Sequence, residues 1–97
     1  AYTEAYFRAR LDEELHRASF ENTEVGLIVV KFTGLEGMRR FYGEESVQGF
    51  LYDAADFFRD NVRRLDLVAR YGQTGFAIIL PSGGKNLDLV RGRLLSR

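Results

Sequence analysis

The sequence is most informative at first for what it lacks. Its 97 residues include no cysteine, which excludes disulfides and thiolate metal sites and is compatible with a reducing cytosol. Neither sign of charge is in excess, because 14 Lys and Arg face 14 Asp and Glu. No overall charge therefore attracts nucleic acid or a membrane surface, and any anion site must be local. The longest apolar run is too short to span a bilayer, so we expect no membrane contact by this domain.

Apolar periodicity predicts a mixture of helices and strands. Apolar residues at helical spacing predict helices over residues 2–19, 45–62 and 87–95, and a short helix that ends near Gly43. The β-branched and aliphatic run over 25–32 predicts a central strand buried on both faces. Two further strand-like runs, 66–71 and 76–80, are joined by a four-residue turn and predict a hairpin.

This order of elements predicts an α/β (α+β) sandwich, in which helices pack on one sheet that contains antiparallel strands. A split β-α-β layout normally has one more strand after the last helix, beside the first strand. The sequence stops before such a strand, so we expect the fold to lack its C-terminal part and the 25–32 strand to have an unpaired edge. Either the sequence is cut short here, or a partner chain covers that edge. We therefore predict self-association, with a homodimer as the simplest form.

The segment over residues 65–81 reads LDLVARYGQTGFAIILP. It resembles the signature hairpin of GGDEF domains, the diguanylate cyclase family, which typically reads DLVARYGGDEFAIILP. Every position matches except the three of the turn, Gln73, Thr74 and Gly75. Upstream, residues 31–43 fall where the family has its DLDGFKxxNDxxGH segment. The resemblance covers essentially the whole chain and implies the nucleotide-cyclase, ferredoxin-like GGDEF fold.

The same resemblance implies that the family's chemistry is absent. Diguanylate cyclases join two GTP molecules with the help of Mg²⁺, a cation that prefers carboxylate oxygens. The family's metal-binding Asp aligns with Lys31, and the acidic pair of its turn aligns with Thr74 and Gly75. An ammonium group and a hydroxyl are poor ligands for Mg²⁺. We therefore expect no Mg²⁺, no other cofactor and no diguanylate cyclase activity.

Three more positions of the family's GTP site also differ. The first-helix Lys aligns with Glu36, the guanine-reading Asn with Arg39 and the later guanine-reading Asp with Gln48. One hypothesis is that Lys31 and Arg39 neutralise nucleotide phosphates directly, without a metal. The alternative, which the pattern favours, is a decayed site whose side chains are solvated or paired locally. An enzyme with residual nucleotide turnover is the least favoured hypothesis.

Arg63 and Asp66 form an RxxD turn ahead of Gly72. In the family, an RxxD turn at this place binds cyclic-di-GMP, usually as a stacked dimer of the ligand. Arginine can meet guanine O6 and N7 with two donors, and a carboxylate can accept hydrogen bonds from guanine N1–H and its amine. The family often adds an arginine from the following helix, for which Arg93 is the better match and Arg91 the alternative. The plain alternative for the turn is a weak local ion pair.

The resemblance thus predicts that residues 1–97 form one degenerate GGDEF domain. Its predicted function is that of a non-catalytic cyclic-di-GMP receptor. The receptor would transmit its ligand-bound state to attached signalling domains or to a second copy. The alternative is a scaffold kept for dimerisation or protein interaction. We predict a cytoplasmic location, alone or as the cytoplasmic part of a larger or membrane-anchored bacterial protein, and no nucleic-acid partner.

Overall fold

A computed structural model describes residues 1–81 and 87–95, with the side chains of all of these except 87–89. The elements are α1 (Glu4–Glu21), β1 (Gly26–Lys31), α2 (Leu35–Tyr42), α3 (Glu44–Asp60), β2 (Leu67–Tyr71), β3 (Gly75–Leu80) and α4 (Leu87–Leu95). Each predicted helix and strand is therefore confirmed, with bounds shifted by two residues or fewer. The hairpin loop is one residue shorter than predicted, because Tyr71 already pairs with Gly75.

Local sequence signals explain where the first helices begin and end. Helix α1 begins after Thr3, whose hydroxyl oxygen accepts a hydrogen bond from the Tyr6 amide at 3.1 Å. It ends at Asn22, which adopts the left-handed conformation (φ 55°) that asparagine tolerates better than most residues. Gly43 separates α2 from α3 with a φ of 91°, a value that favours glycine. None of the helices in the described part of the chain has the length and apolar character needed to cross a bilayer.

The sheet has the order β1-β3-β2, and both pairings are antiparallel. Strand β3 lies in the centre, and all six of its residues are buried. The prediction that the 25–32 strand is central and buried on both faces is wrong for the described residues. Strand β1 lies at the edge, and its Leu27 and Val29 side chains are 42% and 52% exposed. An apolar run shows that a strand packs well, but it does not show how many strands flank it.

Helices cover both faces of the sheet, which produces two separate cores. On one face, Phe76 and Ile78 of β3 pack with Leu51 and Phe58 of α3. On the other face, Ala77 and Ile79 of the same strand pack with Phe7 of α1. Alternation along one fully buried strand thus divides its side chains between two helical layers. The expected sandwich is confirmed, and the unpaired outer edge of β1 is confirmed among the described residues.

Candidate ligand-binding turn and the altered hairpin

The RxxD turn lies between the end of α3 and the start of β2. Its backbone closes with a hydrogen bond from the Asp66 amide to the Arg63 carbonyl, at 3.1 Å. The Asp66 carboxylate folds back over the turn, and its Oδ2 accepts a hydrogen bond from the Arg63 amide at 2.7 Å. The two residues therefore lie close together, as expected for residues three apart in a turn, and their joint contact with one base stays a prediction. The structure adds that Asp66 is buried, with only 3% of its surface exposed.

The two oxygens of the Asp66 carboxylate have different surroundings. Oδ2 is used by the turn, whereas Oδ1 is buried and has no hydrogen-bond partner among the described residues. A buried carboxylate oxygen without a donor is uncommon, because its lost hydration is not replaced. The Arg63 guanidinium lies beside it with Nε 3.5 Å from Oδ2, and its side chain is 42% exposed. That contact is long for a hydrogen bond, so it binds the guanidinium only weakly to the carboxylate.

The following helix places an arginine next to this turn. Arg93 of α4 donates from Nη1 to the carbonyl oxygen of Asn61, at 3.4 Å. Asn61 is buried and anchored in turn by its own side chain, whose Nδ2 donates to the Phe57 carbonyl at 2.8 Å. Arg91, the alternative residue, lies two positions earlier on α4, and both arginines are exposed. The hydrogen bond to Asn61 thus places Arg93 near the turn, and a role of Arg93 or Arg91 in binding stays a prediction.

The hairpin turn lies against the end of β1. Lys31 pairs with Gly75 in the strand register, and the next residue, Phe32, donates from its amide to the Thr74 carbonyl at 2.9 Å. A cavity of about 320 Å³ lies here, lined by Val29, Val30, Lys31, Tyr71, Gly72, Gln73, Thr74 and Gly75. Among the described residues, this lining includes one ammonium group and no carboxylate. Nowhere in the described part of the chain do three Asp, Glu or His residues form a group that could hold a metal ion.

Gly75 occupies a position where the backbone leaves no room for a side chain. A Cβ atom there would lie 2.5 Å from the Val30 carbonyl oxygen and 3.0 Å from that of Tyr71. Both neighbours are backbone atoms held in the sheet, so they cannot move aside without disturbing the strand pairing. The spacing in the sequence showed a glycine where the resemblance implies an acidic residue. It did not show that the surrounding backbone has closed over the position.

The three altered positions on α2 and α3 belong to one surface network centred on Glu44. Arg39 pairs with Glu36 at 2.7 Å and with Glu44, and Gln48 donates to Glu44 at 2.9 Å. The hydrogen bond from Arg39 lowers the pKa of the Glu44 carboxyl, and the same contact raises the pKa of Arg39. These side chains are therefore locally paired. Glu44 was not among the predicted residues, although its position four residues before Gln48 is a typical helical pairing distance.

The hairpin turn is also tied to the start of α1. The amide of Gly72 donates to Glu4 Oε1 at 2.7 Å, and Arg8 donates to Glu4 Oε2 at 2.8 Å. The Gly72 amide, followed by Arg8, lowers the pKa of the Glu4 carboxyl. The Arg8 guanidinium lies 5.7 Å from the centre of the Tyr71 ring. Sequence reasoning missed this contact, because its partners are far apart along the chain.

Comparison with known sequences gives a consistent result. The family model described as "Diguanylate cyclase, GGDEF domain" matches residues 2–94. The "Uncharacterized protein YtrP" of Bacillus subtilis (strain 168) is 30% identical over 80 residues. That match covers 82% of this chain but only 14% of the relative.

Comparison with solved structures identifies the same fold. The GGDEF domain of PA1120 (TpbB or YfiN) from Pseudomonas aeruginosa has a TM-score of 0.88 at 22% identity, over 98% of this chain and 56% of that chain. The diguanylate cyclase SiaD from P. aeruginosa, solved with its activator SiaC, has a TM-score of 0.89 at 22% identity, over 95% and 36%. The GGDEF domain of DgcB from Caulobacter crescentus, in complex with c-di-GMP, has a TM-score of 0.82 at 22% identity, over 98% and 57%. This chain thus spans between about a third and three fifths of these structures' lengths.

Proposed function

This chain belongs to the GGDEF domain family, and on that premise we propose that it is a non-catalytic receptor for cyclic-di-GMP. The proposed binding site is the RxxD turn, with Arg63 and Asp66 reading one guanine and Arg93 adding positive charge beside it. The observation that carries the proposal is the buried Oδ1 atom of Asp66, which has no donor among the described residues. It lies in the same turn as the partly exposed side chain of Arg63.

The two groups suit the edge of a guanine. The unpartnered carboxylate oxygen can accept a hydrogen bond from guanine N1–H or from its exocyclic amine. The guanidinium donors of Arg63, whose side chain is partly exposed, have the geometry to bind guanine O6 and N7. Oδ1 is covered by protein in this structure, so a ligand donor reaches it only after a local shift of the turn, and the new hydrogen bond then replaces one that Asp66 lacks. The solved DgcB domain, which shares the fold, is in complex with c-di-GMP, and this supports the choice of ligand class.

Loss of catalysis is the second part of the proposal. The donor set around the hairpin cavity does not fit Mg²⁺, because Lys31 carries a positive charge and Thr74 offers only a neutral hydroxyl. Gly75 adds a steric reason, since its backbone surroundings exclude even a Cβ atom. The pairing of Arg39 with two carboxylates supports a decayed nucleotide site over direct neutralisation of phosphates.

A scaffold function is the alternative, and the outer edge of β1 favours it. Leu27 and Val29 are exposed on this edge, which is unpaired among the described residues. Unpaired apolar edges promote association with another strand. The related cyclase SiaD was solved together with a protein partner, its activator SiaC. Dimerisation through this edge is compatible with ligand binding at the turn, so the two functions require separate measurements.

Titration calorimetry with cyclic-di-GMP tests the receptor. We expect micromolar or tighter binding, weakened about tenfold to a hundredfold in Arg63→Ala and in Asp66→Asn, because each removes polar contacts to one base. Arg64→Ala is the matched control: it removes an exposed arginine from the same turn and should change the affinity by less than about threefold. Failure of the folded protein to bind, or equal losses in all three variants, would contradict the proposal.

Two further measurements separate the other functions. Incubation with GTP and Mg²⁺ should yield no cyclic-di-GMP, and its formation would overturn the assignment as non-catalytic. Sedimentation at increasing protein concentration, with and without cyclic-di-GMP, tests the scaffold. Self-association in a protein that does not bind the ligand would favour the scaffold over the receptor.

A further inference from the structure

Another arginine, Arg59, contacts the main chain of the RxxD turn. It lies in the last turn of α3 and carries its guanidinium across to the main chain of the turn. Nη1 donates to the carbonyl oxygen of Asp66 at 2.7 Å, and Nη2 donates to that of Arg63. We propose that Arg59 is a positioning residue for cyclic-di-GMP binding, an inference that rests on the function proposed above. It acts by fixing the backbone from which Arg63 and Asp66 extend.

Through these two hydrogen bonds, Arg59 links the first and the last residue of the turn. A guanidinium group is planar and rigid, so its two donors hold the two carbonyl oxygens at a set separation. The Arg63 carbonyl oxygen also accepts a hydrogen bond from the amide of Asp66. The two donors together occupy both of its lone pairs. The peptide planes that follow Arg63 and Asp66 are therefore held together. Each plane adjoins the Cα atom that carries one of the proposed ligand-reading side chains.

The direction of the Arg59 side chain distinguishes it from Arg63. Its terminal nitrogens donate to main-chain carbonyls, so its role is exerted through the turn. The last carbonyls of a helix and the turn that follows it favour a cation, which explains an arginine at this position. Without these bonds the turn would have to become ordered when ligand binds. That ordering lowers affinity even where every ligand contact is retained.

The substitution Arg59→Met tests this role, since methionine keeps an unbranched apolar stem and removes both donors. We expect cyclic-di-GMP to bind Arg59→Met about tenfold more weakly than the unmodified protein, at a temperature where both are folded. Arg64→Ala is again the control for a lost positive charge. A ligand-independent measurement accompanies it: amide hydrogen exchange of Arg63 and Asp66 should be faster in Arg59→Met, with the amides of β3 unchanged.

The possible outcomes decide between this inference and its premise. Unchanged affinity in Arg59→Met, with only a lower melting temperature, would overturn the positioning role and leave a general stabiliser of the helix end. An equal loss of affinity in Arg64→Ala would also overturn it, because charge alone would then explain the effect. If the unmodified protein does not bind the ligand, the proposed function fails. The exchange rates of Arg63 and Asp66 then decide whether Arg59 holds the turn, and unchanged rates would refute it.

Discussion

The RxxD turn and the hairpin turn carry polar groups of similar kinds but use them differently. At the hairpin end, the Gly72 amide is bonded to Glu4, the Thr74 carbonyl to Phe32 and the position of Gly75 is closed by backbone. At the RxxD turn, one oxygen of Asp66 is buried without a donor among the described residues. The polar groups described at the hairpin end are therefore bonded within the fold. The RxxD turn keeps one acceptor without a donor beside an exposed arginine.

Under the proposed function, this difference corresponds to a domain that has lost one site and kept another. Substitutions at Thr74 and Gly75 are compatible with the fold because neighbouring strands and α1 provide the contacts that remain. Asp66 is under a different constraint, because Oδ2 also closes the turn and a change there would cost stability as well as the proposed binding. A residue with both roles is harder to replace than one with a purely chemical role.

The largest effect on stability is expected from the reverse substitution Gly75→Glu, which restores an acidic residue of the family signature. Its Cβ would meet two backbone oxygens, so we expect the free energy of unfolding to fall by about 2 kcal/mol or more. Lys31 lies opposite in the register, but a cross-strand ion pair contributes less than about 1 kcal/mol and does not offset the clash. Urea denaturation followed by circular dichroism measures this change.

Gln73→Glu provides the matched control for that prediction. It adds the same charge two residues earlier, at an exposed position of the hairpin loop. We expect its free energy of unfolding to stay within about 0.5 kcal/mol of the unmodified protein. A Gly75→Glu variant as stable as the control would show that the hairpin end is not closed, and the contrast between the two regions would disappear.

An intermediate effect is expected from Asp66→Ala. Removal of the carboxylate leaves the Arg63 amide without its acceptor, so we expect unfolding to become easier by about 1 to 2 kcal/mol. The exposed Asp60, at the end of α3, is the control, and Asp60→Ala should change stability by less than about 0.5 kcal/mol. Equal stability of the two variants in urea would mean that Asp66 has no structural role, and that only binding depends on it.

The smallest effect is expected from Glu4→Gln, and it should depend on pH. The pKa of Glu4 is lowered in the folded protein, chiefly by the Gly72 amide, so its stabilising contribution is present above the ordinary carboxyl pKa of 4.5. That contribution disappears as the pH falls through the lower pKa of the folded state. Glu4→Gln should therefore melt at a slightly lower temperature than the unmodified protein near neutral pH, and the difference should shrink in acid.

Glu24→Gln is the control for this pH dependence, because Glu24 is exposed in the loop between α1 and β1. Differential scanning calorimetry at several pH values compares the two variants. A difference for Glu4→Gln that is constant across the acidic range, or identical to that of Glu24→Gln, would show that the contact with Gly72 does not contribute.

Much of the fold could be predicted because its signals are local. The helical spacing of Val47, Leu51 and Phe58 identified α3, and these residues are buried as that spacing requires. Helix α1 was predicted on the same grounds, but it buries Glu14 (2% exposed) and leaves Leu15 52% exposed. Glu14 is held there by Arg10 at 3.2 Å and Arg17 at 3.0 Å. Side-chain pairing at helical spacing, which hydrophobicity alone does not detect, made that carboxylate acceptable in the interior.

The candidate site was also predictable only in part. The spacing of Arg63 and Asp66 was sufficient to place both residues in one turn, because residues three apart in a turn are neighbours. Their unequal exposure and the contribution of Arg59 were not predictable, since both depend on how α3 ends against β2. The central position of β3 in the sheet was not predictable either, because strand pairing depends on contacts between segments that are distant in the sequence.

The sequence by itself determined the helices, the strands, the family and the positions at which this chain departs from the family pattern. These properties follow from residue type and short-range spacing. The tertiary structure alone decided that Gly75 admits no side chain, that Glu4 reaches Gly72 and that one oxygen of Asp66 lacks a donor among the described residues. Each of these facts depends on distances between atoms that are far apart in the chain or on burial by neighbouring elements. Such distances are set by packing, which residue types and local spacing do not specify.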